Sequence, residues 1–179
     1  MQDNLDHVPV ESALALARQQ KSDERFEGRS AEANGFIAVI ESRTFTRECI
    51  RRSVQSAFPL PVLTYSTAVE LKQQHVLVSP KLILFSWVEG NKEASTRALR
   101  LLSEFAPSTP VIVLAYNLDG ELARMAIRHG AKGYIPVTTK FGIMIEAVRF
   151  VLAGGTYVPM DCLLARDGLG SIRSSGYGP

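Results

Sequence analysis

No uninterrupted apolar run approaches the length that crosses a bilayer, so no membrane-spanning helix is expected. Cysteine is scarce: Cys49 and Cys162 match neither a disulfide framework nor a metal motif, and both are expected as reduced thiols. His7, His75 and His129 sit on separate segments with no second ligand at metal spacing, so neither a metal nor a cofactor is expected. The chain has no Gly-Lys-Ser/Thr sequence, and the turn Glu41-Ser42-Arg43-Thr44 lacks the glycines that cradle phosphates, which removes the usual signatures of nucleotide binding. A positively charged start followed by an apolar block is also missing, so export is not expected and the cytoplasm is the expected compartment. Too few apolar residues follow Pro159 for a helix-turn-helix, and nucleic-acid contact through this chain is not expected.

What remains suits one α/β domain of ordinary size with tails. Net charge is small but uneven. Residues 1–35 carry four Lys/Arg against seven Asp/Glu, whereas residues 36–159 carry fourteen against nine. The acidic leader, 1–35, has one short helical candidate, Glu11 to Gln20, with a weak apolar stripe, and reads as a mobile or docking segment. Arg43, Arg47, Arg51 and Arg52 contribute to the basic excess of the body, and a solvated helix face is the expected reading of that run.

From Phe36 the pattern becomes regular. FIAVI, LILF and VIVLA are short continuous apolar runs, the signature of strands covered on both faces. Val62 to Thr67 reads as a more exposed second strand and Tyr134 to Val137 as a fifth. Phe45, Ile50, Val54 and Ala57 mark one helical face, and Ala94, Ala98, Leu101, Leu102 and Phe105 another. Asp119 to His129 forms a further helix closed by Gly130, and Lys140 to Ala153 a last one that is apolar around much of its circumference. Five βα units in succession, joined by right-handed crossovers, give a flavodoxin-like three-layer doubly wound sandwich. Its parallel five-stranded sheet has the expected order 2-1-3-4-5, with a crevice beyond the ends of strands one and three. Residues 160–179 read as a linker-like tail.

The stretch VIVLAYNLDGELARMAIRHGAKGYIPVTTKF resembles the second half of a response-regulator receiver domain, and the resemblance extends over Phe36 to Pro159. The ending FVLAGGTYVP is similar to receivers of the NarL/FixJ type, which usually carry a LuxR-type DNA-binding domain after a linker. Against that family pattern the chain departs where chemistry is expected. Glu41 and Ser42 stand at the acidic pair, Ser86 at the phosphoacceptor aspartate, Ala115 at the hydroxyl residue and Val137 at the lysine, while Tyr134 keeps the switch aromatic. Phosphoryl acceptance needs a carboxylate nucleophile, a magnesium ion held by carboxylates, and a nearby cation. A pseudo-receiver with a degenerate pocket is therefore expected, and not an enzyme: Ser86 has no histidine base near it. Tyr134 is expected to be fixed packing, since Ala115 offers no hydroxyl to draw it inward, and Trp87 to cap the crevice or anchor an interface.

Three functions follow from the resemblance and the residues. The first is a phosphorylation-independent input domain of a LuxR-type regulator whose DNA-binding part lies outside this chain. It would act as a homodimer through Arg124, Arg128, Tyr134, Phe141, Ile145 and Arg149. The second is a stand-alone adaptor for a protein partner, and the third a small-ligand domain with a pocket near Ser42, Ser86 and Ala115.

Overall fold

The computed structural model describes residues 35–74 and 80–164. β1 (Ile37–Ile40) leads to α1 (Thr44–Ala57), β2 (Val62–Tyr65) to α2 (Ala68–Gln74), and β3 (Leu82–Ser86) to α3 (Lys92–Phe105). β4 (Val111–Ala115), α4 (Gly120–Arg128), β5 (Gly133–Pro136), α5 (Phe141–Leu152) and a short α6 (Met160–Leu164) complete it. All strand pairs are parallel and the order is β2-β1-β3-β4-β5, as the apolar runs imply.

Every residue of β1, β3, β4 and β5 is buried, because helices cover both faces of the sheet. One core layer joins Phe36, Ala38, Ile83 and Val113 to Leu71, Leu99 and Leu102 under α2, α3 and α4. The other joins Ile37, Val39, Leu84 and Ile112 to Val54, Val148 and Val151 under α1 and α5. Each such aliphatic side chain stabilises the fold by about 1.5–3 kcal/mol relative to exposure, so alternate residues of one strand hold opposite layers. The side chains of Asn91 and Asp119 accept hydrogen bonds from the N–H groups of Ala94 and Leu122 and start α3 and α4. Gly130 closes α4 at φ 94°, a conformation that favours glycine. Gly133 permits close strand packing, since a Cβ there would lie 2.8 Å from Cγ1 of Ile112.

Several boundaries differ from the sequence reading. β2 ends at Tyr65, and β5 runs from Gly133 to Pro136, one residue earlier at each end, because Gly133 already pairs with Ile112 of β4. The tail is not linker from its first residue: α6 packs on α4, and its Cys162 is fully buried in the layer that holds Tyr134. A five-residue helix is too short to show a periodic apolar signal. Trp87 is also corrected. It is 6% exposed and meets Phe85 edge-on with ring centroids 6.5 Å apart, so it belongs to the core and is neither a lid nor a surface anchor. The helical candidate Glu11 to Gln20, His7, His75 and the tail after Leu164 lie outside the described residues. Among the described residues, no helix is long and apolar enough to cross a membrane.

Candidate functional site

The strand order switches between β1 and β3: β1 connects outward to β2 on one side and β3 to β4 on the other, which leaves a crevice at the strands' carboxyl ends. Register pairs Ile40 with Phe85 and Ser86 with Leu114, so Glu41, Ser86 and Ala115 all stand at that edge.

Glu41 is only 3% exposed, yet its carboxylate is fully engaged. The Arg43 backbone N–H donates to Oε1 at 2.8 Å, Arg43 Nε to Oε1 at 3.1 Å, and Arg43 Nη2 to Oε2 at 3.0 Å. The Ser86 hydroxyl adds a further hydrogen bond. Burial pushes the carboxyl pKa up, but the Arg43 bonds, the Ser86 hydroxyl and the Arg43 charge outweigh it and hold the group below its ordinary value. The Arg43 guanidinium also lies 5.8 Å from the centroid of Tyr116, just past β4, and so reaches from the end of β1 across the mouth. Arg47 Nη1 donates to the Glu41 carbonyl at 2.8 Å and to Ser66 Oγ at 3.1 Å, tying the loop after β1 to the loop after β2. On the other side, Asn117 Nδ2 donates to Glu89 Oε1 at 2.8 Å, linking the loops after β4 and β3.

The remaining residues of the expected pocket are apolar or turned away. Ala115 is buried, and its carbonyl accepts the Val137 N–H at 2.8 Å. Val137 is 51% exposed, and Ser42 is exposed. Among the described residues, no group of three or more His, Cys, Asp or Glu side chains could hold a metal ion. Among the described residues, no histidine stands beside Ser86 as a base. Its neighbour Glu41 is held in the weakly basic carboxylate form, and His129 caps the C-terminus of α4, at the opposite edge of the sheet.

Tyr134 is fully buried. Its hydroxyl donates to the Asn117 carbonyl at 2.7 Å and accepts the Asp119 N–H at 3.3 Å. Burial pushes its pKa up to about 12, with the nearby Cys162, Asp119 and Glu89 adding to the rise. The ring thus sits inward, bound to the backbone that starts α4.

The structure separates the six residues expected at one interface. Arg124 and Arg128 border an apolar groove of about 500 Å³ between α4 and α6, which Ile127 and Leu163 also line. Phe141 opens α5 with 48% of its surface exposed. Ile145 requires correction: at 6% exposed, it faces the sheet beside Val148, one helical turn on, and is core rather than surface. Arg149 turns toward α1, where it donates to the Ala57 carbonyl at 3.2 Å and lies 5.2 Å from the Phe58 ring centroid.

Three arrangements were not legible in the sequence. The arginine run on α1 divides: Arg47 enters the crevice loops, while Arg51 and Arg52 both bond Glu48, whose carboxyl falls to about 2 through those two hydrogen bonds. Glu41 and Arg43, two residues apart, were the available signal for the internal ion pair. An open cleft between α2 and α3, beside the crevice, left no linear motif.

No protein-family model matches the chain. A glycerol metabolism activator of Pseudomonas putida is 25% identical over 150 residues, which cover 80% of this chain and 66% of that protein. The oxygen regulatory protein NreC of Staphylococcus aureus is 29% identical over 99 residues, 55% of this chain and 46% of that protein. The chain thus spans roughly half to two thirds of the length of the curated relatives it matches. A LuxR family DNA-binding response regulator from Silicibacter pomeroyi superposes with a TM-score of 0.61 at 24% identity, covering 70% of this chain and 97% of that one. A LuxR family two-component response regulator from Aurantimonas sp. SI85-9A1 gives 0.64 at 18% identity, covering 72% and 92%. The fold is that of a response-regulator receiver domain, and the chain is similar to LuxR-type regulators over it.

Proposed function

We propose that the chain is a receiver-like regulatory domain that works without phosphoryl transfer, in signal transduction and transcriptional control. One observation carries the reading. Where phosphoryl chemistry needs an aspartate and a divalent cation, Ser86 ends β3, and the one retained carboxylate, Glu41, is already neutralised by Arg43. An internal guanidinium occupies the charge role that a metal would otherwise fill. Ala115 and Val137 offer the transferred group neither a hydroxyl nor a cation.

A domain with a fixed pocket regulates through contacts. Exposed Phe141, Ile143 and Phe150 on α5 supply apolar surface, and self-association across it is the simplest assembly. The similarity to LuxR-type regulators supports an output domain elsewhere in the same protein, through which DNA would be reached. A partner protein bound at a different surface is the second reading, favoured by the groove between α4 and α6, with its exposed Leu163 and basic rim.

The test is the mass of the full chain in solution, measured by light scattering with and without magnesium and beryllofluoride, a phosphoryl mimic. The expected result is an unchanged mass. A change that requires the mimic would show a pocket that still reads phosphoryl groups and would overturn the reading.

A further inference from the structure

Beside the closed crevice lies an open cleft of about 390 Å³ between α2 and α3. Its volume falls within the roughly 300–1,000 Å³ typical of small-molecule sites, and it opens at the edge of the sheet where such sites occur in doubly wound folds. Ile40 and Phe85, register partners on β1 and β3, line it together with Val88, Val69, Ala98 and Leu101. Val69 and Val88 are 51% and 45% exposed, so these apolar side chains face water unless something covers them.

Seven of the fifteen lining residues are polar, and their side chains are unequally free. The Ser95 hydroxyl is committed to the Val88 N–H at 3.2 Å, and the Ser66 hydroxyl receives Arg47. Asn91, also in the lining, spends its carbonyl oxygen on the Ala94 N–H, so what its side chain has left to offer is amide N–H donors. Among the described residues, Arg97 is the single charged one in the lining, which contains no Asp or Glu. Its ion pair with Glu93 is 3.5 Å long between side chains that are 70% and 89% exposed, the kind of pair that contributes little. An anion can recruit that guanidinium at small cost.

We propose that this cleft binds a small amphiphilic monoanion: a compact apolar body against Phe85, Ala98 and Leu101, with one carboxylate-type group directed to Arg97 and the Asn91 amide. A cation would be repelled by Arg97 and would have to turn to Glu93, which does not line the cleft, and a neutral apolar body would leave the donors at the mouth unused. The volume suits a ring or a short branched chain rather than a long acyl chain. Ser42 and Ser86 belong to both the cleft and the crevice, so the occupant touches the groups next to Glu41. The site is displaced from the one expected near Ala115, which does not line it. The proposal does not depend on whether the crevice has lost phosphoryl transfer.

The experiment uses isotopically labelled full chain and three probes sharing one apolar body: phenylbutyrate, its amide and the corresponding amine. Amide chemical shifts are followed by NMR. The carboxylate is expected to give saturable shifts centred on Ser86, Val88 and Ala98, with the amide binding more weakly and the amine weakest. Arg97→Gln, at an exposed position, should weaken the carboxylate about three-fold and leave the amide unchanged. Ala98→Phe, which fills the cleft, should weaken both by about ten-fold or more through steric overlap. If Ala98→Phe fails to fold, as far-UV circular dichroism would show, Arg97→Gln decides alone. Absence of saturable shifts, shifts centred on the groove between α4 and α6, or equal affinity for the three probes would overturn the proposal.

Discussion

Glu41 and Tyr134 stand at the same edge of the sheet and are held by opposite means. Glu41 is a buried charge whose partner, Arg43, has 56% of its side chain in solvent, so electrostatics hold it. Tyr134 is a neutral ring buried completely, with its hydroxyl between the Asn117 carbonyl and the Asp119 N–H, so packing holds it. The difference separates what titration can change from what only unfolding can. Acid reaches the first position. The second is out of acid's reach, since burial pushes the pKa of its phenol up to about 12.

Truncating the ring is the sharpest way to break the comparison. Tyr134→Ala should cost about 3–5 kcal/mol, as expected for a buried aromatic, measured by urea unfolding. Tyr134→Phe, which keeps the ring and drops the hydroxyl, should cost about 1 kcal/mol. Near-equal losses would mean that the hydroxyl bonds, not packing, fix the ring.

Glu41→Gln should cost about 1–2 kcal/mol at neutral pH, where it removes a charge-assisted bond to a half-exposed arginine. The folded-state pKa of Glu41 is depressed, so its stabilising contribution is present above the unfolded value, about 4.3, and is lost as pH falls through the folded value. Unfolding curves of the two proteins should therefore converge on acidification. A gap that persists at low pH would place the effect in shape rather than charge. The smallest effect on stability belongs to the surface. Phe141→Glu should change it by no more than about 0.5 kcal/mol while lowering the solution mass if α5 is the self-association face.

Much of the fold was legible because the apolar runs of β1, β3 and β4 are uninterrupted, and only a sheet covered on both faces tolerates that pattern. Helix ends were legible where a residue has one purpose, as at Asp119 and Gly130. The site was legible as a set of positions and not as a set of contacts. Ser86, Ala115 and Val137 could be proposed along the chain as departures from the family pattern, but the turn that folds Arg43 back onto Glu41 could not be read, because a lone Glu-Ser-Arg reads equally as a solvated loop. Ile145 was assigned to the surface because α5 is apolar on most sides, and only packing reveals which stripe meets the sheet. Trp87 and Cys162 were hidden for a related reason: each follows a clear element, yet the core continues past that element's end.

The central claim, a receiver fold whose phosphoryl site is closed by its own arginine, is tested most directly by intact-mass spectrometry after incubation with acetyl phosphate and magnesium. Wild type and Ser86→Asp are compared. With Arg43 on Glu41, and Ala115 and Val137 unchanged, neither protein should carry a phosphoryl adduct. Efficient labelling of Ser86→Asp would contradict the account, because it would mean that one restored carboxylate suffices to displace the ion pair and gather the metal.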